Sequence, residues 1–335
     1  MASRRIVLLG KTGVGKSSLA NTIFEEEVFK INHSPVTEEY QSSTATNCIN
    51  GKNITLIDTQ GFFDTRESEE SLKADILRCI TECAPGPHAF FIVLKVEKFT
   101  KQEEAVINKM RQYFSEDALR YSAVVFTHGD QLPEGKTIKE FVGGNKALSE
   151  LVKECGGRCH VADCKYWKDN KEDNYRNNRF QVTELLRTTD KITEANNGQC
   201  YTNEVLKEVK SEMRKEEEQI GQSSGGMSQE EIRTKAKRSV FESLKIRLTG
   251  VAAGALLGAL LGVVEKVTSP LRNVQGLSDI AVTGAVQGAI VGYNASDGAT
   301  SPSDAINKTI KAYFTQRPGG AEEPKKSKRG YEQSS

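Results

Sequence analysis

Five short apolar runs, each followed by a polar or glycine-rich break, organise the first half of the chain. Ile6-Val7-Leu8-Leu9 is continuous and ends at Gly10, the pattern of a strand buried on both faces. Ile54-Thr55-Leu56-Ile57 ends at Asp58, Ala89 to Val96 forms a third run, and Ala123-Val124-Val125-Phe126 a fourth. Arg158 to Ala162 supplies a short fifth. Helical spacing occupies Ser17 to Phe24, Ser68 to Cys83, Lys101 to Phe114 and Thr137 to Cys155. Strands alternating with helices predict an α/β fold with a doubly wound, mostly parallel sheet. The segment from Asn32 to Asn47 is polar and carries neither period.

After about Asn196 the pattern changes. Glu204 to Gln219 reads as a charged helix with opposite charges three and four residues apart, and Gly221 to Gly226 as a break. Ser228 to Arg247 resumes as a basic helix, with Ser228 and Glu231 spaced as a capping box. Gly250, Gly254, Gly258 and Gly262 then recur within an uncharged run from Leu248 to Val264, and Gly284, Gly288 and Gly292 repeat the spacing. Four-residue spacing aligns glycines on one helix face, where a second backbone can approach. Seventeen helical residues span about 26 Å, just short of a hydrocarbon core of about 30 Å. Three fates are open to this hydrophobic hairpin: membrane insertion, docking on the preceding domain, or self-assembly. The expected organisation is the α/β domain over 1–200, a charged helical extension over 201–247, the hairpin over 248–296 and a polar tail over 297–335.

The formal net charge of +1 over 335 residues argues against a dedicated nucleic-acid binder. Seven cysteines without a framework, and no secretory signal before the first strand, suit reduced thiols in the cytoplasm. Cys155, Cys159, His160 and Cys164 lie close together, but C-x3-C-H-x3-C lacks the paired spacing of common zinc sites. Cys79 and Cys83 share a helix face and read as inert.

Chemistry concentrates at the breaks after the strands. Gly10 to Ser17 fits G-x4-G-K-[ST] between a strand and a helix, the context this phosphate loop requires. Lys11, Thr12, Gly13, Val14 and Gly15 would present backbone N–H groups to phosphate oxygens, and Ser18 would continue the cradle into the helix. Lys16 would neutralise the β- and γ-phosphates, and Ser17 would coordinate Mg²⁺. Asp58, in Asp58-Thr59-Gln60-Gly61, is placed to reach that Mg²⁺ through water, and the Gly61 N–H to sense a γ-phosphate. Thr37 is the candidate switch threonine for Mg²⁺ and γ-phosphate, with Thr44 and Thr46 as rivals. After the fourth strand, Thr127-His128-Gly129-Asp130 stands where N-K-x-D is usual. Asp130 can accept both guanine N1–H and the exocyclic amine, and His128 can stack on the base. GTP/GDP is therefore expected over ATP.

With these residues assembled, the chain resembles the GIMAP family of immunity-associated nucleotide-binding proteins over roughly Arg4 to Glu208. The resemblance rests on GKTGVGKSS, Val36-Thr37, DTQGFFD, LKVEKFTKQEE at Leu94 to Glu104 and FTHGD at Phe126 to Asp130. It extends to CGGRCH at Cys155 to His160, QVTELL at Gln181 to Leu186 and NNGQCYTNE at Asn196 to Glu204. It implies a septin-like P-loop GTPase domain that dimerises across its nucleotide face. It also implies attachment to the cytosolic side of an intracellular membrane through the C-terminus, and roles in immunity and cell survival. Many relatives have Pro at Gln60 and Arg at Lys98. Lys98 is the candidate for stabilising transition-state charge, with Thr37 the other candidate catalytic residue, but lysine lacks the bidentate fork of arginine. Phe62 occupies the place where small GTPases keep a water-orienting glutamine. Slow hydrolysis is expected, and the alternative is a GTP-loaded scaffold whose hairpin serves self-assembly or autoinhibition.

Overall fold

In a computed structural model, the structure describes residues 3–29, 44–59, 69–97, 115–168, 174–223, 226–247 and 256. Among these, the strands are β1 (Ser3–Leu9), β2 (Thr44–Ile49), β3 (Lys52–Asp58), β4 (Ala89–Lys95), β5 (Ser122–Thr127) and β6 (Cys159–Val161). The helices are α1 (Lys16–Phe24), α2 (Glu69–Cys83), α3 (Glu116–Arg120), α4 (Ile138–Gly143), α5 (Lys146–Glu154), α6 (Asn178–Ala195), α7 (Glu204–Ser223) and α8 (Gln229–Arg247). The strands form one sheet in the order β2-β3-β1-β4-β5-β6, parallel except for β2 against β3.

Period-two alternation divides the core. Ile6, Leu8, Phe91, Val93, Ala123 and Val125 face one cluster with Leu19 and Ile23 of α1 and Leu185 and Ile192 of α6. Val7, Leu9, Phe90, Ile92, Val124 and Phe126 face the other, with Ile76 and Ile80 of α2 and Leu151 of α5. The run Ile6 to Leu9, read as a strand buried on both faces, is so buried. Leu206, Val209 and Met213 of α7, and Val240 and Leu244 of α8, belong to the second cluster. The charged extension therefore buries an apolar stripe in the same core as the sheet.

Several elements differ from expectation. The helix expected over Thr137 to Cys155 is two: α4 ends before Gly144, and Asn145 starts α5 by accepting the Leu148 N–H at 3.0 Å. β2 begins inside the segment read as patternless and ends two residues beyond it. It is a half-exposed edge strand in which Ala45 and Ile49 pack against the core, too few for a hydrophobic alternation to show. α6 escaped detection because Asn178, Gln181, Thr189 and Thr193 occupy buried positions, breaking the apolar stripe. α3 is a single turn, started by Ser115 accepting from the Ala118 N–H. Gly221 lies within α7, so the expected break falls later. The capping box of α8 forms, with Ser228 N–H on Glu231 Oε2 at 2.8 Å and Glu231 N–H on Ser228 Oγ at 3.3 Å. The helix expected over Lys101 to Phe114 lies outside the described residues, as do Thr37, Gln60, Gly61, Phe62 and Lys98.

Candidate nucleotide site

The phosphate loop leaves the carboxyl end of β1 beside β3 and β4, where the chain order of the sheet reverses direction and ligands of open α/β sheets bind. Gly10 has no room for a side chain, since a Cβ would lie 2.5 Å from the Val93 carbonyl oxygen. Gly13 and Gly15 take φ of 80° and 89°, which side-chain-bearing residues rarely adopt. Gly15 is also the N-cap of α1 and brings no capping side chain. The first-turn N–H groups and the positive end of the helix dipole are left to an anion. Lys16 is 7% exposed and donates from Nζ to the carbonyls of Gly10 at 3.0 Å and Lys11 at 3.2 Å, so its ammonium lies within the loop.

β3 delivers Asp58 beside α1. Ser17 Oγ donates to Asp58 Oδ2, joining the two residues read as a magnesium pair. Asp58 Oδ1 is buried without a hydrogen-bond partner. Burial pushes the Asp58 carboxyl above its ordinary range, against the pull of the Lys16 charge and the Ser17 hydroxyl. A buried carboxylate oxygen lacking a donor, next to a hydroxyl, is a donor set that fits a hard divalent cation. Next along the chain, Thr59 Oγ1 donates to the Leu8 carbonyl at 2.6 Å, pinning the end of β3 to β1.

At the end of β5, Thr127 Oγ1 donates to the Val14 carbonyl at 2.6 Å. His128 is exposed with φ of 56°, and its Nδ1 lies 3.1 Å from Thr127 Oγ1. Asp130 follows in a 3₁₀ turn (Gly129–Gln131), its Oδ2 accepting from Gln131 Nε2 at 2.6 Å. The segment after β6 supports this turn. The Gly129 N–H donates to the Ala162 carbonyl at 3.1 Å, and the Asp130 N–H to Asp163 Oδ2 at 3.2 Å. A Cβ on Gly129 would lie 2.5 Å from the buried Trp167 ring.

Lys11 to Ser18, Asp58, His128 and Asp130 therefore gather at the carboxyl ends of β1, β3 and β5, and the Thr127–Val14 bond joins the phosphate and base ends. Of the rivals to Thr37, Thr46 is occupied as a strand residue, its Oγ1 2.8 Å from Thr55 Oγ1. Thr44 likewise belongs to β2, opposite Ile57. In the cysteine cluster, His160 Nε2 pairs with Thr188 Oγ1 at 2.9 Å, and Cys155 is buried in the core with its thiol pushed up to about 12 by burial. Among the described residues no group of His, Cys, Asp or Glu is arranged for a metal by itself. Sequence reasoning missed the structural roles of Thr127, Asp163 and Trp167. For Asp163, the available signal was its place at the carboxyl end of a parallel strand.

The profile of the AIG1 family matches residues 4–220. Immune-associated nucleotide-binding protein 8 of Arabidopsis thaliana is 34% identical over 236 residues, 68% of this chain and 64% of that protein. GTPase IMAP family member 8 of Mus musculus is 32% identical over 160 residues, 46% of this chain and 23% of that protein. The matched regions thus span less than two thirds of either relative. Among solved structures, Toc33 from Arabidopsis thaliana in complex with GDP and Mg²⁺ aligns at a TM-score of 0.45 and 20% identity, covering 58% of this chain and 86% of that one.

Proposed function

This chain belongs to the AIG1 family, and from that premise we propose that it is a guanine-nucleotide switch that binds GTP or GDP with Mg²⁺ and hydrolyses GTP slowly. The observation that carries the proposal is the Ser17–Asp58 contact below an uncapped helix N-terminus, with Asp58 Oδ1 buried and unsatisfied. Ser17 and Asp58 would hold the cation, Asp58 through water. When bound, Mg²⁺ supplies positive charge to the β- and γ-phosphates. Lys16 adds charge from within the loop, the N–H groups of Gly13 to Ser18 orient the phosphates, and Asp130 selects guanine with His128 against the ring.

In this proposal the Thr37 and Gly61 segments respond to the γ-phosphate, and two copies associate through their nucleotide faces, where Lys98 contributes charge. The test is GTP turnover per molecule as a function of protein concentration, with Lys98→Ala as control. A rate that climbs with concentration and collapses in the variant supports a dimer-activated GTPase. A flat rate near zero with GTP tightly bound supports the scaffold reading instead.

We also propose that residues 248–296 attach the protein to the cytosolic face of an intracellular membrane. Among the described residues no helix is long and apolar enough to cross one. One observation favours the second reading, docking on the G domain. Leu256, inside the first glycine-spaced run, is 3% exposed and belongs to the same buried cluster as Val240 and Leu244.

A further inference from the structure

We infer that Asp163 is a positioning residue for base selection, its carboxylate holding the Asp130 backbone so that the Asp130 side chain meets the guanine edge in register. The inference rests on the guanine reading above and extends it to a residue outside the contact set.

Asp163 is 1% exposed and follows β6. Its two carboxylate oxygens have separate tasks. Oδ1 accepts the Lys165 N–H at 2.9 Å and the Tyr166 N–H, closing the local turn. Oδ2 reaches a loop 33 residues away and accepts the Asp130 N–H at 3.2 Å. Closing the turn needs only one acceptor, which Ser or Asn could supply without charge. A buried ionised carboxylate is costly, so the second oxygen is the feature that calls for aspartate. Burial opposes its charge, yet the Tyr166 N–H, the Asp130 side chain beside it and the N–H groups of Lys165 and Asp130 prevail and hold its carboxyl below the ordinary range.

Asp163 is itself anchored. Its N–H donates to Asn178 Oδ1 at 3.1 Å, and Asn178 Nδ2 returns a bond to the Asp163 carbonyl. Asn178, the first residue of α6, is buried as well. With Gln131 Nε2 on Asp130 Oδ2 at 2.6 Å, backbone and carboxylate of Asp130 are both restrained. A restrained acceptor can discriminate between bases, because a donor missing from the base cannot be replaced by loop movement.

The test compares GDP with inosine diphosphate, which lacks only the exocyclic amine, by calorimetric titration of the full chain. The ratio of the two affinities reads the Asp130 geometry and cancels phosphate binding. In Asp163→Asn the amide oxygen stays with the two turn N–H groups, so its NH₂ opposes the Asp130 N–H. In Asp163→Ser the hydroxyl still closes the turn and is too short to reach Asp130. Both variants are expected to reduce the GDP preference by about fivefold or more, GDP losing more than inosine diphosphate. Equal losses for the two nucleotides, or an unchanged ratio, overturn the inference. A native ratio near one, with ADP binding far more weakly, overturns this inference alone; ADP binding as tightly as GDP overturns the guanine reading. The two substitutions disturb the turn differently, so one remains readable where the other does not fold.

Discussion

Thr127 Oγ1 donates to the Val14 carbonyl at 2.6 Å, a bond between the end of β5 and the phosphate loop spanning 113 residues of sequence. The same hydroxyl lies 3.2 Å from the Leu94 carbonyl, and its side chain packs where a Gly15 Cβ would point. Thr127→Val keeps the shape and removes the donor, leaving a buried carbonyl unsatisfied. The expected loss is about 1–2 kcal/mol of stability in urea unfolding, with GDP affinity falling several-fold. Thr127→Ser should retain most of both. A valine variant that matches the native protein in stability and affinity would show that the tie contributes nothing.

Gly129 and Trp167 make a packing pair in which the glycine is required by the ring. A Cβ at Gly129 would sit 2.5 Å from Trp167, which is 4% exposed with Arg176 over its ring at 5.9 Å. Gly129→Ala is expected to cost about 2 kcal/mol by overpacking. On a Trp167→Leu background most of that cost should vanish. A double-mutant cycle measures the coupling, and additive losses would mean that the clash is relieved elsewhere.

The parallel sheet was legible because its strands are buried on both faces, and Ile6 to Leu9 or Ala123 to Phe126 can be little else. The phosphate loop was legible because its chemistry is local in sequence. β2 and α6 were not, for opposite reasons. β2 is a half-exposed edge that sets little more than Ala45 and Ile49 against the core, whereas α6 buries Asn178, Gln181 and Thr193 among its apolar residues. Asn178 shows why: its burial is satisfied by Asp163, across a turn that no helical period reports. The Asp163–Asp130 bond was invisible for the same reason, since it pairs two loops through one backbone N–H. Nor could composition reveal that the charged helices α7 and α8 enter the core, because Val209 and Val240 are sparse among charges.

His88 and His160 predict acid sensitivity. Burial lowers the His88 pKa to about 4, aided by the Arg5 and Arg4 charges, while Nδ1 accepts the Arg5 N–H at 3.0 Å. Burial likewise lowers His160 to about 4, with Glu184 opposing and Lys139 reinforcing the shift. In the unfolded chain each binds a proton near pH 6.5. Below that pH the unfolded state gains protons that the native state does not. Stability is therefore fully present above pH 6.5 and is lost as pH falls toward 4, by about 2 kcal/mol per histidine after allowing for solvent screening. Urea midpoints from pH 7.5 to 4.5 should fall in the native protein, and less steeply in His88→Gln. Parallel slopes would assign the effect to other groups.

The packing of α8 on α2 predicts that the extension unfolds with the sheet. Lys237 Nζ meets Glu82 Oε2 at 2.6 Å, Arg78 lies over the Phe241 ring at 5.6 Å, and Leu244 is 1% exposed in the core cluster. The half-buried ion pair adds at most about 1 kcal/mol, so the apolar stripe dominates. Leu244→Ala is expected to cost about 2–4 kcal/mol through the cavity it leaves. The chain has a single tryptophan, and Trp167 packs against the base-reading turn rather than the extension. Its fluorescence therefore follows the sheet domain, while circular dichroism follows all the helices. If α8 belongs to the same cooperative unit, Leu244→Ala lowers both urea midpoints together. A Trp167 midpoint that stays at the native value while helix content is lost earlier would make residues 201–247 a unit of their own. A chain truncated to test membrane binding should in either case end no earlier than Arg247. Cutting at Gly226 would remove Val240 and Leu244 from the buried cluster, and the core so exposed would bind vesicles for reasons unrelated to the glycine-spaced runs.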